Sequence, residues 1–319
     1  MKGERNILVI ALCSLLLVPF MTSCKQKQPQ AQEEKKVHGR YVPERKDDFA
    51  WENEYAAWRM YGPALRGENP SNGVDLWLKA SPELIVDSFY YREHVLGLPY
   101  HINYGKGLDC YKVGHSCGAG GLVVIANGKT CIGGAYDLWE IMEQTPTKLV
   151  FRLEYDSLLV GDSVLHESIT ITTEAGKMMN KAEVVLTALN GWPAEDSLLV
   201  GGGIYLHDTI EHYVLEEGGL VAYAENAASD QNAVKMNFEF NGTLTFGRSY
   251  IAVSTPGATE QGIIDGNLVS LKPYAVGDTL TYYFGACWSQ WAGLGEQKEL
   301  PFSDEDAWYS AVKGEMNGQ

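Results

Sequence analysis

The chain lacks an apolar run long enough to cross a membrane as a helix. Its main apolar stretch runs from Ile7 to Phe20, about 14 residues, whereas a helix that spans a hydrocarbon core needs about 20. The sequence also has no GxGxxG, P-loop, HExxH or GxSxG motif. These absences argue against four classes for this chain: a transmembrane protein, a nucleotide-binding enzyme, a zinc protease and a serine hydrolase.

Basic residues are scarce. The chain has 25 Lys and Arg against 41 Asp and Glu, a formal net charge of −16. A surface of this sign repels phosphate backbones, so nucleic acid is an unsuitable partner. An acidic sugar is still compatible, because a few arginines or lysines can dominate the charge of a local cleft.

The chain begins with the features of an exported lipoprotein. Lys2 and Arg5 precede the apolar run, and small residues lead to a cysteine in Met21-Thr22-Ser23-Cys24. This pattern predicts a signal peptide over residues 1–23 and lipid on Cys24, with an ordinary signal peptide and a chance cysteine as the alternative. Residues 24–39 are polar and predict a flexible tether. We expect acyl chains alone to hold the protein to the outer membrane, on its periplasmic face, because no aspartate follows Cys24 and the tether is only weakly acidic.

No CxxC pair occurs, which argues against a zinc site. Four cysteines remain in the mature chain, namely Cys110, Cys117, Cys131 and Cys287. An exported protein can form disulfides, and four cysteines allow three complete pairings. Free buried thiols are the alternative. No acidic loop has clear calcium spacing, so the sequence indicates no metal and no cofactor, although calcium is compatible with a sandwich fold.

Short runs of alternating apolar and polar residues follow from about Arg40 onward. Leu149, Phe151, Leu153 and Tyr155 share one face of such a run. Turn residues separate the runs every eight to twelve residues, for example Asn127-Gly128. The pattern predicts an all-β fold, an antiparallel β-sandwich, as a single domain over residues 40–319. It assigns strands to, among others, residues 234–240 and 244–253, and one terminal helix to residues 303–316 with Ser303 as its cap.

The first polar cluster lies between Pro43 and Gly62. It places charged residues around aromatic side chains, which predicts a charged wall with Trp51 as a platform for sugar stacking. A solvated entry loop is the alternative. The candidate substrate-binding residues of this cluster are Arg45, Asp48, Trp51, Glu52, Arg59 and Tyr61.

The second polar cluster is the glycine-rich stretch from Tyr100 to Gly121. Long loops inside a compact domain are usually functional, and glycines let a ligand approach the backbone closely. The alternative is a surface loop closed by a Cys110–Cys117 disulfide. The candidate catalytic residues here are His101, Tyr104, Lys112 and His115, and the candidate binding residues are Asp109 and Tyr111. His207 closes a strand that contains Gly201-Gly202-Gly203 and is a further candidate.

Both clusters carry a family resemblance. The segments 45–53, 59–63, 73–79 and 107–114, together with Gly118-Ala119-Gly120-Gly121, resemble a domain-of-unknown-function group (type 4861) common among Bacteroidetes lipoproteins encoded near glycan-degradation genes. The resemblance implies a mutarotase-like β-sandwich. It further implies an oligosaccharide dehydratase that removes water from a terminal uronate and leaves a 4,5-unsaturated sugar.

Elimination from a uronate needs a base for the C5 proton, a cation for the carboxylate and an acid for the leaving group at C4. His101 or His115 can be the base, and Tyr104 or Tyr111 the acid. The carboxylate can be held by Lys112, Arg45 or Arg59, and arginine has the better two-pronged geometry. Two alternatives stay open: a hydrolase with paired carboxylates among Glu44, Asp47, Asp48 and Glu52, and a glycan-binding lipoprotein without chemistry.

Overall fold

The computed structural model describes residues 34–68, 71–192, 198–207, 213–216, 218–292, 302 and 304–318. The predicted signal peptide, Cys24 and most of the tether lie outside these residues. Within them, none of the helices is long and apolar enough to cross a membrane.

The described chain is mostly antiparallel strand. The strands up to the long loop are β1 (His38–Val42), β2 (Asp48–Glu52), β3 (Ala56–Met60), β4 (Asp75–Lys79) and β5 (Gly107–Asp109). The middle strands are β6 (Ala119–Ala126), β7 (Lys129–Cys131), β8 (Leu138–Gln144), β9 (Lys148–Val160), β10 (Ser163–Glu174), β11 (Met179–Ala188) and β12 (Leu198–Tyr205). The last are β13 (Tyr213–Glu216), β14 (Leu220–Asn226), β15 (Arg248–Ser254), β16 (Glu260–Ile264), β17 (Asn267–Tyr274) and β18 (Thr279–Trp288).

These strands form three sheets. The first contains β1-β2-β3-β4-β5, the second β13-β14-β15-β18-β11-β10-β9-β8, and the third β16-β17-β12-β6-β7. The first and third sheets both pack against β18 of the eight-stranded sheet, and a parallel bridge between Val74 and Gly118 joins them. The prediction of an antiparallel β-sandwich is confirmed.

The core lies between the layers. Along β9 the side chains of Leu149, Phe151, Leu153 and Tyr155 are buried, as their alternation predicted, and the side chains between them are partly exposed. Trp51 and Trp58 from the first sheet stack on each other with ring centroids 6.0 Å apart and pack against Phe284 of β18. Along β9, β10 and β11 buried residues alternate with partly exposed ones, so one face of each strand packs in the core and the other faces solvent.

Three α-helices accompany the sheets in the described residues: α1 (Val86–Tyr91), α2 (Gln231–Asn241) and α3 (Glu305–Asn317). A π-helical turn, Arg92–Leu96, extends α1. The strand prediction for residues 234–240 was wrong, because this segment is the body of α2, with Asp230 as its N-cap. The terminal helix is confirmed with a different cap: Asp304 accepts a hydrogen bond from the amide of Ala307, and Ser303 lies outside the described residues. The segment predicted as strand 244–253 begins pairing only at Arg248.

All four cysteines of the described chain are free thiols. The interpretation of a loop closed by Cys110 and Cys117 is therefore wrong. Cys110, Cys117 and Cys287 are buried in the core, and burial raises the pKa of each thiol. Buried protonated thiols act as small apolar side chains and are unreactive.

Candidate functional site

The candidate site is built around the guanidinium of Arg59 on β3. Its Nη2 lies 2.6 Å from Asp75 Oδ2 and 3.0 Å from Asp109 Oδ2, and its Nη1 donates to the hydroxyl of Tyr100 at 3.1 Å. Its Nε lies 3.9 Å from Asp48 Oδ2. We call this group, together with Arg45, Tyr61 and His101, the Arg59 centre.

Strand register explains why these side chains meet. Arg59 lies directly opposite Asp75 on β4, and Asp109 on β5 lies opposite Trp77, two residues further along β4. Side chains two apart on a strand share a face of the sheet. The three charged residues therefore lie on the face that α1 covers, where Trp77, Phe89, Tyr90 and Tyr100 form a separate apolar cluster.

Aromatic rings surround the guanidinium. The centroids of Tyr61, Trp77 and Tyr100 lie 5.3, 5.2 and 5.5 Å from the central carbon of Arg59. Cation–π attraction and three carboxylates together compensate for the loss of hydration of a fully buried cation. The pKa of Arg59 accordingly stays high in spite of burial, which on its own would lower it, because Asp75, Tyr100 and Asp109 raise it.

A tight turn brings Arg45 to this centre. Lys46 and Asp47 both adopt left-handed conformations, with φ of 51° and 64°. The turn lies so close to Gly62 that a Cβ at this glycine would approach the carbonyl oxygen of Asp47 to 1.9 Å. Paired left-handed residues other than glycine are unfavourable and often mark functional sites. Here they place Arg45 Nη1 at 3.4 Å from the Asp48 carboxylate.

Two buried carboxyls of the centre titrate far above their ordinary range. Burial raises the pKa of Asp109 to about 7, with Asp75 adding to the rise and His101 and Arg59 opposing it. Burial also raises the pKa of Asp48 to about 6, against the lowering influence of Arg59 and Arg45. Carboxyls that titrate near neutrality in a charged cluster are typical of functional sites.

His101 lies at the edge of the centre. Its Nδ1 is 2.9 Å from the backbone oxygen of Asp109 and 3.7 Å from that residue's carboxylate. A carbonyl oxygen only accepts hydrogen bonds, so Nδ1 carries a proton, and in the neutral form of the ring the lone pair is on Nε2. Asn237 of α2 fixes the backbone by donating to the carbonyl oxygen of His101 at 2.7 Å.

Two members of the centre are open to solvent. The side chain of His101 is 29% exposed and that of Arg45 is 23% exposed, whereas the carboxylates are buried. The ring of Tyr100 adjoins that of His101, with centroids 4.8 Å apart, and its hydroxyl accepts from Arg59. A ligand would meet a cation and an imidazole at this point, with the largely buried phenol of Tyr100 next to the imidazole.

The structure brings together six of the predicted site residues, which come from both polar clusters: Arg45, Asp48, Arg59, Tyr61, His101 and Asp109. Sequence reasoning missed Asp75 and Tyr100 as members. A carboxylate that begins the otherwise apolar run Asp75-Leu76-Trp77-Leu78 was the available signal for Asp75.

A second polar group forms around His207. Its Nδ1 lies 2.9 Å from Glu225 Oε2 and its Nε2 lies 2.6 Å from the carbonyl oxygen of Lys112. The ring of Tyr111 packs edge-on against His207 at 4.6 Å, and its hydroxyl donates to the carbonyl oxygen of Tyr205 at 3.2 Å. Both ring nitrogens of His207 thus face acceptors, so neither offers a lone pair to a substrate.

Two predicted binding residues have structural roles instead. Trp51 has no exposed surface and donates from its indole to Asn180 at 3.2 Å, so its prediction as a sugar platform was wrong. Glu52 is also fully buried, 2.8 Å from Lys79 Nζ, and accepts hydrogen bonds from the amides of Ile85 and Val86 at the start of α1. It anchors that helix and cannot reach a ligand.

Three predicted catalytic residues lie apart from the Arg59 centre. Tyr104 packs edge-on against Phe240 at 5.0 Å and stacks with Arg92. Lys112 extends its side chain into solvent, and His115 is exposed in the turn after Gly114. Of the two histidines predicted as the base, only His101 joins the carboxylates and arginines.

The glycines of the long loop have a packing role. A Cβ at Gly107 would approach the carbonyl oxygen of Leu78 to 1.9 Å, and one at Gly118 would approach that of Val74 to 2.1 Å. Both have positive φ, 120° and 65°. These glycines allow the loop backbone to lie against the ends of β4, which brings Asp109 and His101 to Arg59. At these two positions the space beside the glycine is occupied by protein backbone and not by the ligand that the sequence predicted for this loop.

Fold and site together define a three-sheet antiparallel β protein with a buried arginine–carboxylate centre beside a histidine. The family model for a domain of unknown function, DUF4861, matches residues 20–313. The chain therefore belongs to this family, as the resemblance predicted.

The chain is similar to an uncharacterized protein, P7, from Formosa agariphila. It is 29% identical over 223 residues, which cover 67% of this chain and 54% of the relative. The match thus spans about half the length of the relative.

Proposed function

We propose that this protein acts on uronate-containing oligosaccharides by elimination at the non-reducing end, as a carbon–oxygen lyase of the dehydratase or polysaccharide-lyase type. The observation that carries the proposal is that His101, whose Nδ1 faces a carbonyl oxygen, lies in one centre with a partly exposed arginine and the phenol of Tyr100. Elimination from a uronate needs a base, a carboxylate-binding cation and an acid in one place.

Each group has a defined task in this reaction. Arg45 binds the uronate carboxylate and stabilises the negative charge that develops there. His101 Nε2 takes the C5 proton, the electrons of the C5–H bond form the C4–C5 double bond, and the C4–O bond breaks. The leaving oxygen takes the proton of the Tyr100 hydroxyl, and Arg59, whose Nη1 donates to this hydroxyl at 3.1 Å, stabilises the phenolate.

The geometry favours elimination over hydrolysis. A glycosidase needs two carboxyl groups facing the glycosidic bond. Asp48, Asp75 and Asp109 are all buried against arginine, and Glu52 is buried against Lys79.

Incubation of the purified chain with a panel of uronate-terminated oligosaccharides tests the proposal. We expect a new ultraviolet absorbance from the conjugated double bond. A product that is lighter than the oligosaccharide by one water, with every glycosidic bond intact, indicates a dehydratase. Cleavage of a glycosidic bond of the oligosaccharide indicates a lyase. Saturated products would indicate hydrolysis, and binding without a product would indicate a binding module; either result contradicts the proposal.

The proposed location is part of the same hypothesis. A lipid on Cys24 would hold the enzyme at the periplasmic face of the outer membrane, where it meets imported oligosaccharides. We expect labelled palmitate to be incorporated into the parent chain, and Cys24→Ser to abolish the label and release the protein from the membrane fraction. Equal labelling of both chains would contradict this placement.

A further inference from the structure

The outer face of the eight-stranded sheet carries a separate cavity of about 480 Å³. Strand register builds it: Thr172 on β10 lies opposite Lys181 on β11, which lies opposite Tyr283 on β18. These three side chains point to the same face and span about 10 Å, two inter-strand spacings. Lys148 on β9 and Lys177 in the turn after β10 complete the rim, with Glu174 beside them.

The lining of this cavity is rich in lysine, although the molecule as a whole is acidic. Three ammonium groups and one carboxylate line it, in a chain whose net charge is −16. Lys148 pairs with Glu143 at 2.9 Å and Lys181 with Glu183 at 2.8 Å, and both pairs are partly exposed. Exposed pairs of this kind contribute little free energy and exchange readily for another anion.

Lys177 is free to bind a ligand. It is exposed, and its ammonium forms no ion pair with the described residues. Its backbone is held, because its carbonyl oxygen accepts from Asn53 Nδ2 at 2.8 Å and its amide donates to the carbonyl oxygen of Glu174 at 3.3 Å. The half-buried ring of Tyr283 adds a flat apolar surface with a polar tip, which suits a sugar ring.

We propose that this cavity, lined by Lys148, Lys177, Lys181 and Tyr283, is a second, non-catalytic binding site for an acidic polysaccharide. The lysines would contact carboxylate or sulfate groups and the tyrosine a pyranose ring. A lipid surface is a poorer match, because membrane contact requires exposed apolar side chains and no large apolar side chain of the lining is exposed. This site requires no elimination chemistry, so it stands independently of the proposed function.

Calorimetry on the full chain tests this assignment. The probes are a polyglucuronate, its carboxyl-reduced counterpart of equal length, and dextran sulfate with dextran as its neutral control. We expect the anionic polymers to bind, the neutral ones not to bind, and the affinity to fall as salt rises. The double variant Lys177→Glu with Lys181→Glu should weaken binding by at least roughly ten-fold. The matched control is Lys235→Glu on α2, an exposed lysine far along the chain from the cavity, which should bind as the parent does.

Several outcomes overturn the proposal. Unchanged affinity in the double variant excludes this site, and equal binding of the carboxyl-reduced polymer excludes recognition by charge. Binding to anionic vesicles that the double variant loses would assign the cavity to a lipid surface. Elimination on short oligosaccharides should stay at the parental rate in the double variant. Loss of that activity without loss of polymer binding would place the lysines in the catalytic function and contradict a separate site.

Discussion

Replacement of Arg59 by methionine should lower the free energy of unfolding by about 3–5 kcal/mol near pH 8, the cost of breaking a buried ion pair by removing one partner. Methionine can fill part of the volume and retains contact with Tyr61, Trp77 and Tyr100. It cannot replace the cation between Asp75 and Asp109, which lie 2.6 and 3.0 Å from Nη2. The cost therefore comes from uncompensated carboxylates, since packing is largely kept.

The loss should depend on pH with a definite sign. The pKa of Asp48 is already raised from 3.8 to about 6, and that of Asp109 from 3.8 to about 7. A raised carboxyl pKa means that the folded state binds more protons than the unfolded state, so stability is lost as pH rises from about 4 to about 7. Without Arg59 both pKa values rise further. The variant should therefore recover part of its stability at pH 5, when the carboxyls take up protons.

Urea unfolding of both chains at pH 5 and pH 8 checks this expectation. The matched control is Arg66→Met, since Arg66 pairs with Asp137 at the surface and should cost less than about 1 kcal/mol. Equal losses in the two variants, or an Arg59→Met loss that does not change with pH, would show that the carboxylates are not compensated by this arginine. If Arg59→Met does not fold at pH 8, refolding at pH 5 still distinguishes the electrostatic explanation from a packing defect.

The second large effect concerns the proposed base. His101→Gln should reduce the elimination rate by roughly 100- to 10,000-fold, the range for loss of a general base. Glutamine can keep the hydrogen bond to the backbone oxygen of Asp109, which His101 makes at 2.9 Å, but it cannot accept a proton near neutral pH. Since His101 is partly exposed, the thermal unfolding temperature should change little.

His115→Gln is the appropriate control, because His115 is an exposed histidine of the same loop. Initial rates of double-bond formation, measured across a range of substrate concentrations, separate catalysis from binding. We expect the loss in kcat with KM nearly constant, because Arg45 still holds the carboxylate. Parental kcat in His101→Gln together with a loss in His115→Gln would transfer the role of base to His115 and remove the catalytic assignment of the Arg59 centre.

Most strands could be predicted because their two faces differ. β9, β10 and β11 have one buried and one open face, so apolar and polar residues alternate with a period of two. Segment 234–240 shows the limit of this signal. Val234, Met236, Phe238 and Phe240 alternate as a strand would, yet they belong to α2, where Phe238 is 53% and Phe240 56% exposed. Exposed aromatic residues on a helix imitate a strand, and only the cap at Asp230 indicated otherwise.

The sequence predicted the kinds of residue in the site, but it did not predict every residue that the fold brings there. Polar residues within aromatic segments pointed to Arg45, Arg59, His101 and Asp109, which the structure brings together. The burial of Trp51 and Glu52 could not be predicted from pattern, because all five residues of β2 are buried and a strand covered on both faces loses its alternation. Tyr100 and Asp75 joined the site through contacts distant in sequence, which depend on register between β3, β4 and β5.

The free thiols can report when a buried region of the protein opens to solvent. Cys110 follows Asp109 directly, and Cys117 donates to Asn267 at 3.0 Å where the long loop meets the third sheet. Neither thiol can be alkylated while it is buried and protonated. The rate of labelling at each cysteine therefore measures how often that region exposes itself to solvent. Cys110 reports openings beside the Arg59 centre, and Cys287 reports openings of the central strand β18. One chain therefore carries separate probes for local opening of the site and for unfolding of the sandwich.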